Sequence, residues 1–435
     1  MVPTICKSRF FLAAILLLAG CSTTSYRAGS DEDEGEQAGT ALSNLFTPEQ
    51  QTAPPNEIRS LRLYRSETPG SIPAIELDSN QELTLSFDHL DSTPRQFTIE
   101  IEHAAKNWEE SSLDPHFFVD GFNELYMDYG QRSYTQRPAY RHYEYRFPND
   151  EMQFKISGNY WLKVFDEEDD RLLFTLPFFV HENKGTLESR VETEYARRED
   201  LRRQDRLFSS YRYPEIVEFP QFDLAFRYVQ NQFWGRYREV RNFDTSEPGT
   251  VNFHLSSEEA FLGDYEFNVL DLRSFQVDGR RILSVEPEYT PPRVILQRDV
   301  EEFADVSTIN DHSRFGRPVG DRDASYADVR FELETSSSIE ADEKIYLVGD
   351  FNGWQINEQN LMQFDEETES WKGRALIKEG EYAYKYVVLA DGELQDLALD
   401  RAFTFTRQHY TTLVYFEDPR NHYDRLLNIH EINRE

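Results

Sequence analysis

Apolar and polar residues alternate along residues 97–182, and turn signals interrupt the alternation. The turns fall at Pro148-Asn149-Asp150 and at Ser157-Gly158-Asn159. A period of two that is broken by Pro, Gly and Asn is typical of paired antiparallel strands. Shorter alternating runs between residues 58 and 88 add further strands. Together these runs predict an immunoglobulin-like β-sandwich over residues 57–185.

The rest of the chain also alternates with the period of strands, and no helical period longer than two or three turns is visible. Residues 186–325 predict a middle β-rich domain, which begins with a mixed-charge connector (186–212) that starts as a strand and becomes a loop. Residues 326–435 predict a second compact sandwich of the E-set type. The fold class is therefore all-β, with tandem immunoglobulin-like and E-set β-sandwich domains after a disordered N-terminal tether.

The N-terminus has the plan of a secretory signal, with Lys7 and Arg9 before a short apolar run. Leu18-Ala19-Gly20-Cys21 closes this run and resembles a bacterial lipoprotein signal, in which the cysteine is lipidated. We therefore expect a signal peptide over residues 1–20, lipidation of Cys21 and, because Ser22 follows, the outer membrane. An ordinary signal peptide with a chance cysteine is the alternative. Residues 21–56 are polar and acidic, and predict the disordered tether.

Composition narrows the possible partners and excludes several kinds of site. The formal charge of -34 repels phosphate backbones, so we expect no nucleic acid partner. The chain has only 2 cysteines, Cys6 and Cys21, so no disulfide framework or zinc site can form after the signal. We expect no metal and no cofactor.

No motif for catalysis is visible in the sequence. The 10 histidines are scattered, and no nucleophile elbow, Walker loop or dinucleotide fingerprint occurs. The acidic run 166–170 lacks the alternating ligands and the glycine of a calcium loop, so a solvated hairpin tip is the better interpretation. We therefore expect a non-enzymatic protein.

One stretch suggests a ligand. IYLVGDFNGW (345–354), followed by EGEYAYKYVV (379–388), resembles a glycan-binding sandwich of starch- and glycogen-active proteins. Such sites stack sugar rings on exposed aromatic faces. In that resemblance Trp354 is the first stacking tryptophan and Lys385 the polar partner, whereas the second tryptophan, expected near residues 393–394, is missing. Packing of Trp354 inside the domain is the alternative.

A second resemblance spans nearly the whole chain. It is carried, in order, by LTLSFDHL, IEHAAKNWEESSL, YRHYEYRFPND, SGNYWLKVFDEEDD, YVQNQFWGRY, FLGDYEFNVLDLRSF, IYLVGDFNGW and VYFEDPRNHYDRLL. In this order the segments resemble the plug protein family of the type IX secretion system. Ala104 and Lys106 depart from the Cys and Asp that the family has before Trp108.

The resemblance implies a non-enzymatic accessory protein that closes the outer-membrane translocon barrel from the periplasmic side. The alternative is an outer-membrane lipoprotein that binds an α-glucan through residues 326–435.

The resemblance does not say which surface docks on the barrel. A segment rich in tyrosine and arginine is the candidate, because these residue types are enriched in interface hot spots. Packing within the sandwich would explain the tyrosines equally well. The candidate residues are Tyr126, Tyr129, Arg132, Tyr134, Arg137, Tyr140, Arg141 and Tyr143.

Overall fold

The computed structural model describes most of the chain from residue 46 onward. The described ranges are 46–91, 93–135, 137–195, 203–241, 243–263, 265–279, 281–300, 317–318, 322–335, 339–340, 342–395, 397–400 and 408–434. The predicted signal peptide, Cys21 and the predicted tether up to residue 45 lie outside these ranges.

Strands dominate the described residues, and the predicted all-β class is confirmed. The first group of elements is β1 (Ile58–Arg65), β2 (Ala74–Glu76), β3 (Leu83–His89), β4 (Phe97–Ala104), α1 (Pro115–Phe118), β5 (Val119–Gly121), β6 (Glu124–Tyr126), β7 (Gln131–Arg132), β8 (Arg141–Phe147), β9 (Met152–Phe154), β10 (Gly158–Asp166) and β11 (Arg171–His181). The second group is β12 (Thr186–Tyr195), β13 (Arg203–Arg212), α2 (Pro220–Asp223), β14 (Leu224–Gln230), β15 (Tyr237–Glu239), β16 (Phe243–Asp244), β17 (Thr250–His254) and β18 (Phe261–Leu262).

The third group begins with β19 (Asn268–Asp271), β20 (Ile282–Glu286), β21 (Arg293–Leu296), β22 (Asp299–Val300), β23 (Arg317–Pro318), β24 (Tyr326–Glu334), β25 (Lys344–Gly349) and two 3₁₀ turns at Asp350–Asn352 and Glu358–Asn360. It continues with β26 (Gln363–Asp365), β27 (Ser370–Lys378), β28 (Gly380–Ala390) and β29 (Glu393–Gln395). Two long strands end the chain, β30 (Gln408–Asp418) and β31 (Tyr423–Arg434).

The first sandwich consists of two main sheets. One has the order β1-β3-β8-β7 and the other β2-β11-β10-β4-β6, and a small β5-β9 pair lies beside them. Neighbouring strands are antiparallel except β2, which pairs with the end of β11 in parallel. Aromatic and branched side chains of both sheets meet in one core, including Phe87, Phe97, Tyr143, Phe174 and Phe178.

The second sandwich is discontinuous in sequence. Its first sheet is β12-β13-β17-β16 with β18 beside β13, and its second is β15-β14-β30-β31. β14 pairs with β30 from Leu224↔Phe416 to Gln230↔Tyr410. The last two strands, β30 and β31, therefore return to the second sandwich after all the strands from β19 to β29. Within the expected connector 186–212, the described residues instead form two antiparallel strands, paired from Thr186↔Arg212 to Tyr195↔Arg203.

The third sandwich is inserted into the second. β28 is the centre of one sheet, with β19, β23, β25 and β29, and the other sheet has the order β20-β21-β24-β27-β26 with β22 on β24. The sheets therefore do not follow the consecutive ranges 186–325 and 326–435. Neighbouring strands usually pair, and no local pattern in the sequence marks the distant pairing of β14 with β30.

Several strands are buried on both faces because the sandwiches pack on one another. In β3, Leu83, Leu85 and Phe87 point into the first sandwich, yet Asp88 on the opposite face is also fully buried. β14 behaves in the same way, with Phe226 in the second core and Arg227 buried on the other face. Strand alternation thus supplies both a domain core and a domain interface.

A buried carboxylate joins the first and third sandwiches. Asp88 is 0% exposed and accepts hydrogen bonds from His142 Nδ1 at 2.7 Å, Tyr326 OH at 2.6 Å and Lys378 Nζ at 2.7 Å. Burial and the nearby carboxylate raise the pKa of Tyr326 well above its usual value, so its hydroxyl acts as a donor. We call Asp88, His142, Tyr326 and Lys378 the Asp88 cluster. Its donors come from both sandwiches.

A tryptophan-rich cluster joins the first and second sandwiches. Trp108 and Trp161 lie with ring centroids 5.0 Å apart, and Phe179 meets Trp234 of the second sandwich at 4.8 Å. A bidentate ion pair lies nearby, with Arg425 Nε and Nη2 each 2.7 Å from a carboxylate oxygen of Glu182. The two tryptophans therefore belong to an interface between sandwiches.

The segment before β1 crosses the molecule as an ordered strap, which corrects the expectation of a disordered tether for residues 46–56. Phe46 is 0% exposed. Thr52 N donates to Thr175 Oγ1 at 2.7 Å, and Thr175 N donates to Thr52 O at 3.1 Å. We call residues 46–57 the N-terminal strap.

The Asp88 cluster makes a prediction about stability. Lys378→Met removes the cation and leaves Asp88 buried with its charge uncompensated, which should lower the free energy of unfolding by roughly 3–5 kcal/mol. The matched control is Lys372→Met, because Lys372 makes a half-exposed ion pair with Glu332 at 2.8 Å. This control should change the free energy by less than about 1 kcal/mol. Urea unfolding followed by tryptophan fluorescence measures both, and equal losses in the two variants would contradict the assignment.

Candidate functional site

One segment of the first sandwich carries several exposed aromatic side chains. β6 is the outer strand of one sheet and β7 the outer strand of the other, and only four residues join them. The edges of the two sheets therefore lie on the same side. We call residues 117–134 the aromatic edge. Five of its side chains are 60–68% exposed: Phe117, Phe122, Tyr126, Tyr129 and Tyr134.

The backbone of this edge explains why the rings point outward. In β6, Leu125 enters the first core, so Glu124 and Tyr126 on either side of it point to solvent. Tyr134 lies where the edge reaches the third sandwich, with the guanidinium of Arg322 4.5 Å from its ring centroid. Arg322 also donates to Arg132 O at 3.1 Å, which fixes the end of the edge.

The arginines predicted for docking differ in position. Arg132 and Arg137 are exposed, and Arg141 is half-buried and donates to Gly130 O through Nη1. The structure therefore places Tyr126, Tyr129 and Tyr134 on the accessible surface, with Arg132 and Arg137 close to them in sequence.

Tyr140 and Tyr143 are corrections, because both are buried and a partner cannot reach them. The Tyr143 ring is stacked on Phe87 at 5.2 Å, and its hydroxyl donates to Arg95 O at 3.1 Å. Tyr140 OH donates to Ala324 O at 2.8 Å, and Lys378 Nζ lies 4.5 Å from its ring centroid. Tyr140 thus belongs to the contact between the first and third sandwiches, and Tyr143 to a domain core.

The glycan-stacking role of Trp354 is also corrected. Trp354 is 1% exposed, its Nε1 donates to Asp350 Oδ1 at 2.9 Å, and its ring packs against Phe233 and Phe267 at 5.4 and 5.3 Å. A stacking platform must present an open ring face to a sugar. Trp354 presents no open face, since Phe233 of the second sandwich and Phe267 pack against its ring.

Lys385 is likewise part of the interior. Its Nζ donates to Asp400 Oδ1 and, at 3.1 Å, to Glu266 O, and it lies 4.0 Å from the centroid of the Tyr265 ring. Burial raises the pKa of Asp400 to about 6, although Lys385 acts in the opposite direction. This pair connects strand β28 with the segment after β29. The buried ammonium group of Lys385 is therefore inaccessible to a sugar.

The described residues add two findings on membranes and metals. The helices of the described ranges are single turns of three or four residues, too short to span a bilayer. Within the same ranges, no group of His, Cys, Asp and Glu side chains is arranged to hold a metal ion.

Sequence reasoning missed two further exposed rings, Phe117 within α1 and Phe122 directly after β5. The pattern DPHFFVDGF contains the only available signal. Asp114 caps α1 by accepting from His116 N, and this single turn directs Phe118 into the core and Phe117 outward. Here the adjacent pair Phe117-Phe118, which begins two residues after Pro115, gives one exposed and one buried ring.

Residues 58–182 match the family described as "Type 9 secretion system plug protein 1st domain". The matched range coincides with β1 to β11, so the first sandwich is this domain. The chain therefore carries the first domain of the type 9 secretion system plug proteins, as its resemblance to that family predicted. The match associates the chain with that secretion system.

One solved structure supports the fold beyond the matched domain. A crystal structure of a hypothetical protein from Parabacteroides merdae has 21% sequence identity and a TM-score of 0.79, covering 88% of this chain and 99% of its own. At this identity the likeness shows a shared fold alone. The C-terminal domain of the antigen I/II polypeptide BspA from Streptococcus agalactiae has 8% identity over 85% of this chain and 98% of its own, but its TM-score is only 0.18. No curated protein matches the chain.

The burial of Trp354 makes a prediction. Trp354→Ala should lower the free energy of unfolding by roughly 3–5 kcal/mol, because it opens a cavity between sandwiches. The control Tyr126→Ala should stay within about 0.5 kcal/mol, since its ring is exposed. Thermal unfolding of both variants compares them, and an α-glucan column should retain neither the wild-type chain nor the variants. Retention of the wild-type chain that Trp354→Ala abolishes without loss of stability would restore the glycan role.

Proposed function

We propose that this chain is a non-enzymatic plug of the type 9 secretion system, which closes the outer-membrane translocon barrel from the periplasmic side. The observation that carries the proposal is the coincidence of the first sandwich with the family's first domain. The aromatic edge lies on that same sandwich and provides a surface through which it could dock.

A protein that closes a large pore has to resist deformation, and the contacts between the sandwiches meet that requirement. The Asp88 cluster holds the first sandwich to the third, and the Arg425–Glu182 ion pair with the tryptophan-rich cluster holds it to the second. Charged groups that are buried at an interface are costly when separated. The three sandwiches are therefore expected to move as a unit.

The aromatic edge is the proposed docking surface. Tyrosine and phenylalanine rings that stand free of the protein offer apolar area to a partner, and exposed arginines add directional hydrogen bonds. Tyr126 and Tyr129 lie in the middle of this segment of the sequence, with Phe117 and Phe122 before them and Tyr134 after them. Isolated exposed rings are ordinary on protein surfaces, whereas five exposed rings within residues 117–134 favour an interaction site.

Lipid attachment at Cys21 is the proposed means of keeping the plug near the barrel. A tether to the membrane raises the effective concentration of the plug at the pore mouth, so that a weak contact suffices for closure. Acyl chains contribute about 0.8 kcal/mol per buried methylene, so several chains on one cysteine anchor firmly. Mass spectrometry of the first residue of the mature chain tests this step, and an unmodified residue other than Cys21 would rule it out.

The docking surface is tested by co-purification. The tagged chain is recovered from native outer membranes, and we expect a translocon barrel of the type 9 system with it. Tyr126→Ala with Tyr129→Ala should reduce the recovered barrel by at least about tenfold, because hot-spot rings contribute 2 kcal/mol or more to an interface. The matched control is Phe364→Ala, an exposed ring on the outer strand β26 of the third sandwich.

The outcomes separate the two parts of the proposal. A barrel that is recovered equally with both variants would keep the plug function and reject the aromatic edge as its docking surface. The absence of any barrel with the wild-type chain would reject the plug function.

A further inference from the structure

The N-terminal strap ends in an aromatic slot between two sandwiches. The Phe46 ring meets Phe233 of the second sandwich at 4.7 Å and Trp354 of the third at 5.6 Å. Phe267 and Tyr265 complete the same cluster. One side chain from the start of the described chain therefore fills a slot that is built by later parts of the chain.

The strap also binds a strand of the first sandwich through one main-chain and one side-chain hydrogen bond. β11 is paired with β10 along its length, but β2 covers its other side only from Phe179 to His181. At Thr175 no strand of the described residues pairs on this side, and Thr52 binds there instead: Thr175 N donates to Thr52 O, and Thr52 N donates to the side-chain Oγ1 of Thr175. The main-chain N–H of a strand can hold an extended peptide in this way.

A pocket of about 190 Å³ adjoins the Phe46 ring and is partly open to solvent. Apolar side chains such as Leu63, Leu176 and Trp354 line it. The charged side chains of Arg62, Asp350 and Lys378 line it as well. The ring slot therefore continues into a space that further atoms of a bound segment could enter.

We propose that this cleft is a peptide-binding site for an extended segment with an aromatic anchor, which the N-terminal strap fills in cis. Its recognition elements are the ring slot of Phe233 and Trp354 and the edge of β11 at Thr175. The site is therefore competent to take the same kind of segment in trans when the strap is released. This inference does not depend on the plug function, because it concerns only the purified chain.

The test uses the full-length chain with Phe46→Ala, which empties the slot and keeps the rest of the strap. The probe is a fluorescently labelled synthetic peptide with the sequence of residues 46–57, and its binding is measured by fluorescence anisotropy. The peptide should bind Phe46→Ala at least about tenfold more tightly than the wild-type chain, whose tethered strap competes at a high effective concentration.

Two controls make the result specific. The same peptide with Ala in place of its phenylalanine should bind the variant chain more than about a hundredfold more weakly, since a buried ring is lost. A peptide with Trp at that position should also bind the variant chain, because a pocket of about 190 Å³ adjoins the Phe46 ring.

The proposal is overturned if the peptide binds the variant and the wild-type chain equally, or if it binds neither. Circular dichroism must first show that the variant is folded. If Phe46→Ala does not fold, Phe46→Leu replaces it in the same titration with the same criteria, and failure of the peptide to bind that chain more tightly than wild type also overturns the proposal.

Discussion

The packing of the first sandwich on the third depends on one buried carboxylate, that of Asp88. Asp88 is fully buried and receives donors from His142 of its own sandwich and from Tyr326 and Lys378 of the third. Such a cluster adds little net stability, because desolvation of the charges offsets their attraction. Its consequence is positional: if the third sandwich moved away, Asp88 would lose its cation and two of its hydrogen bonds. The cluster therefore fixes where the two sandwiches meet.

The second sandwich is bound to this frame by the chain itself. Because the third sandwich is inserted between β18 and β30, both ends of the insertion belong to the second sandwich. The last strand then returns along the first sandwich, where Arg425 meets Glu182. Insertion and ion pair together leave each sandwich in contact with the two others. A body built in this way suits the closure of a pore better than a string of independent domains would.

The sequence predicted the type of structure well and its connectivity poorly, for a physical reason. Alternation reports that one face of a strand is apolar, so it located the strands around residues 97–182. The same alternation predicts that a polar residue on the opposite face is exposed. It therefore gives no sign that Asp88 and Arg227 are buried. The sequence likewise gives no sign that β14 pairs with β30, because these strands lie on either side of the inserted third sandwich.

The candidate sites show the same limit. Residue type alone made Tyr126 and Tyr143 equal candidates. In the fold, Tyr126 projects from its strand into solvent, whereas Tyr143 projects into the core and stacks on Phe87. The sequence around Trp354 resembles a glycan platform. In the fold, however, Phe233 of the second sandwich packs against the Trp354 ring. Exposure is decided by packing between distant segments, and no local motif records it.

The central claim is that this chain closes a pore, and the most direct measurement is the permeability of the outer membrane. Cells that lack the chain are compared with cells that carry it, using a folded fluorescent protein too large for ordinary porins. The account predicts that the probe enters the periplasm only when the chain is absent, and that the wild-type chain restores exclusion. Equal exclusion of the probe with and without the chain, in cells whose translocon is present, would contradict the account.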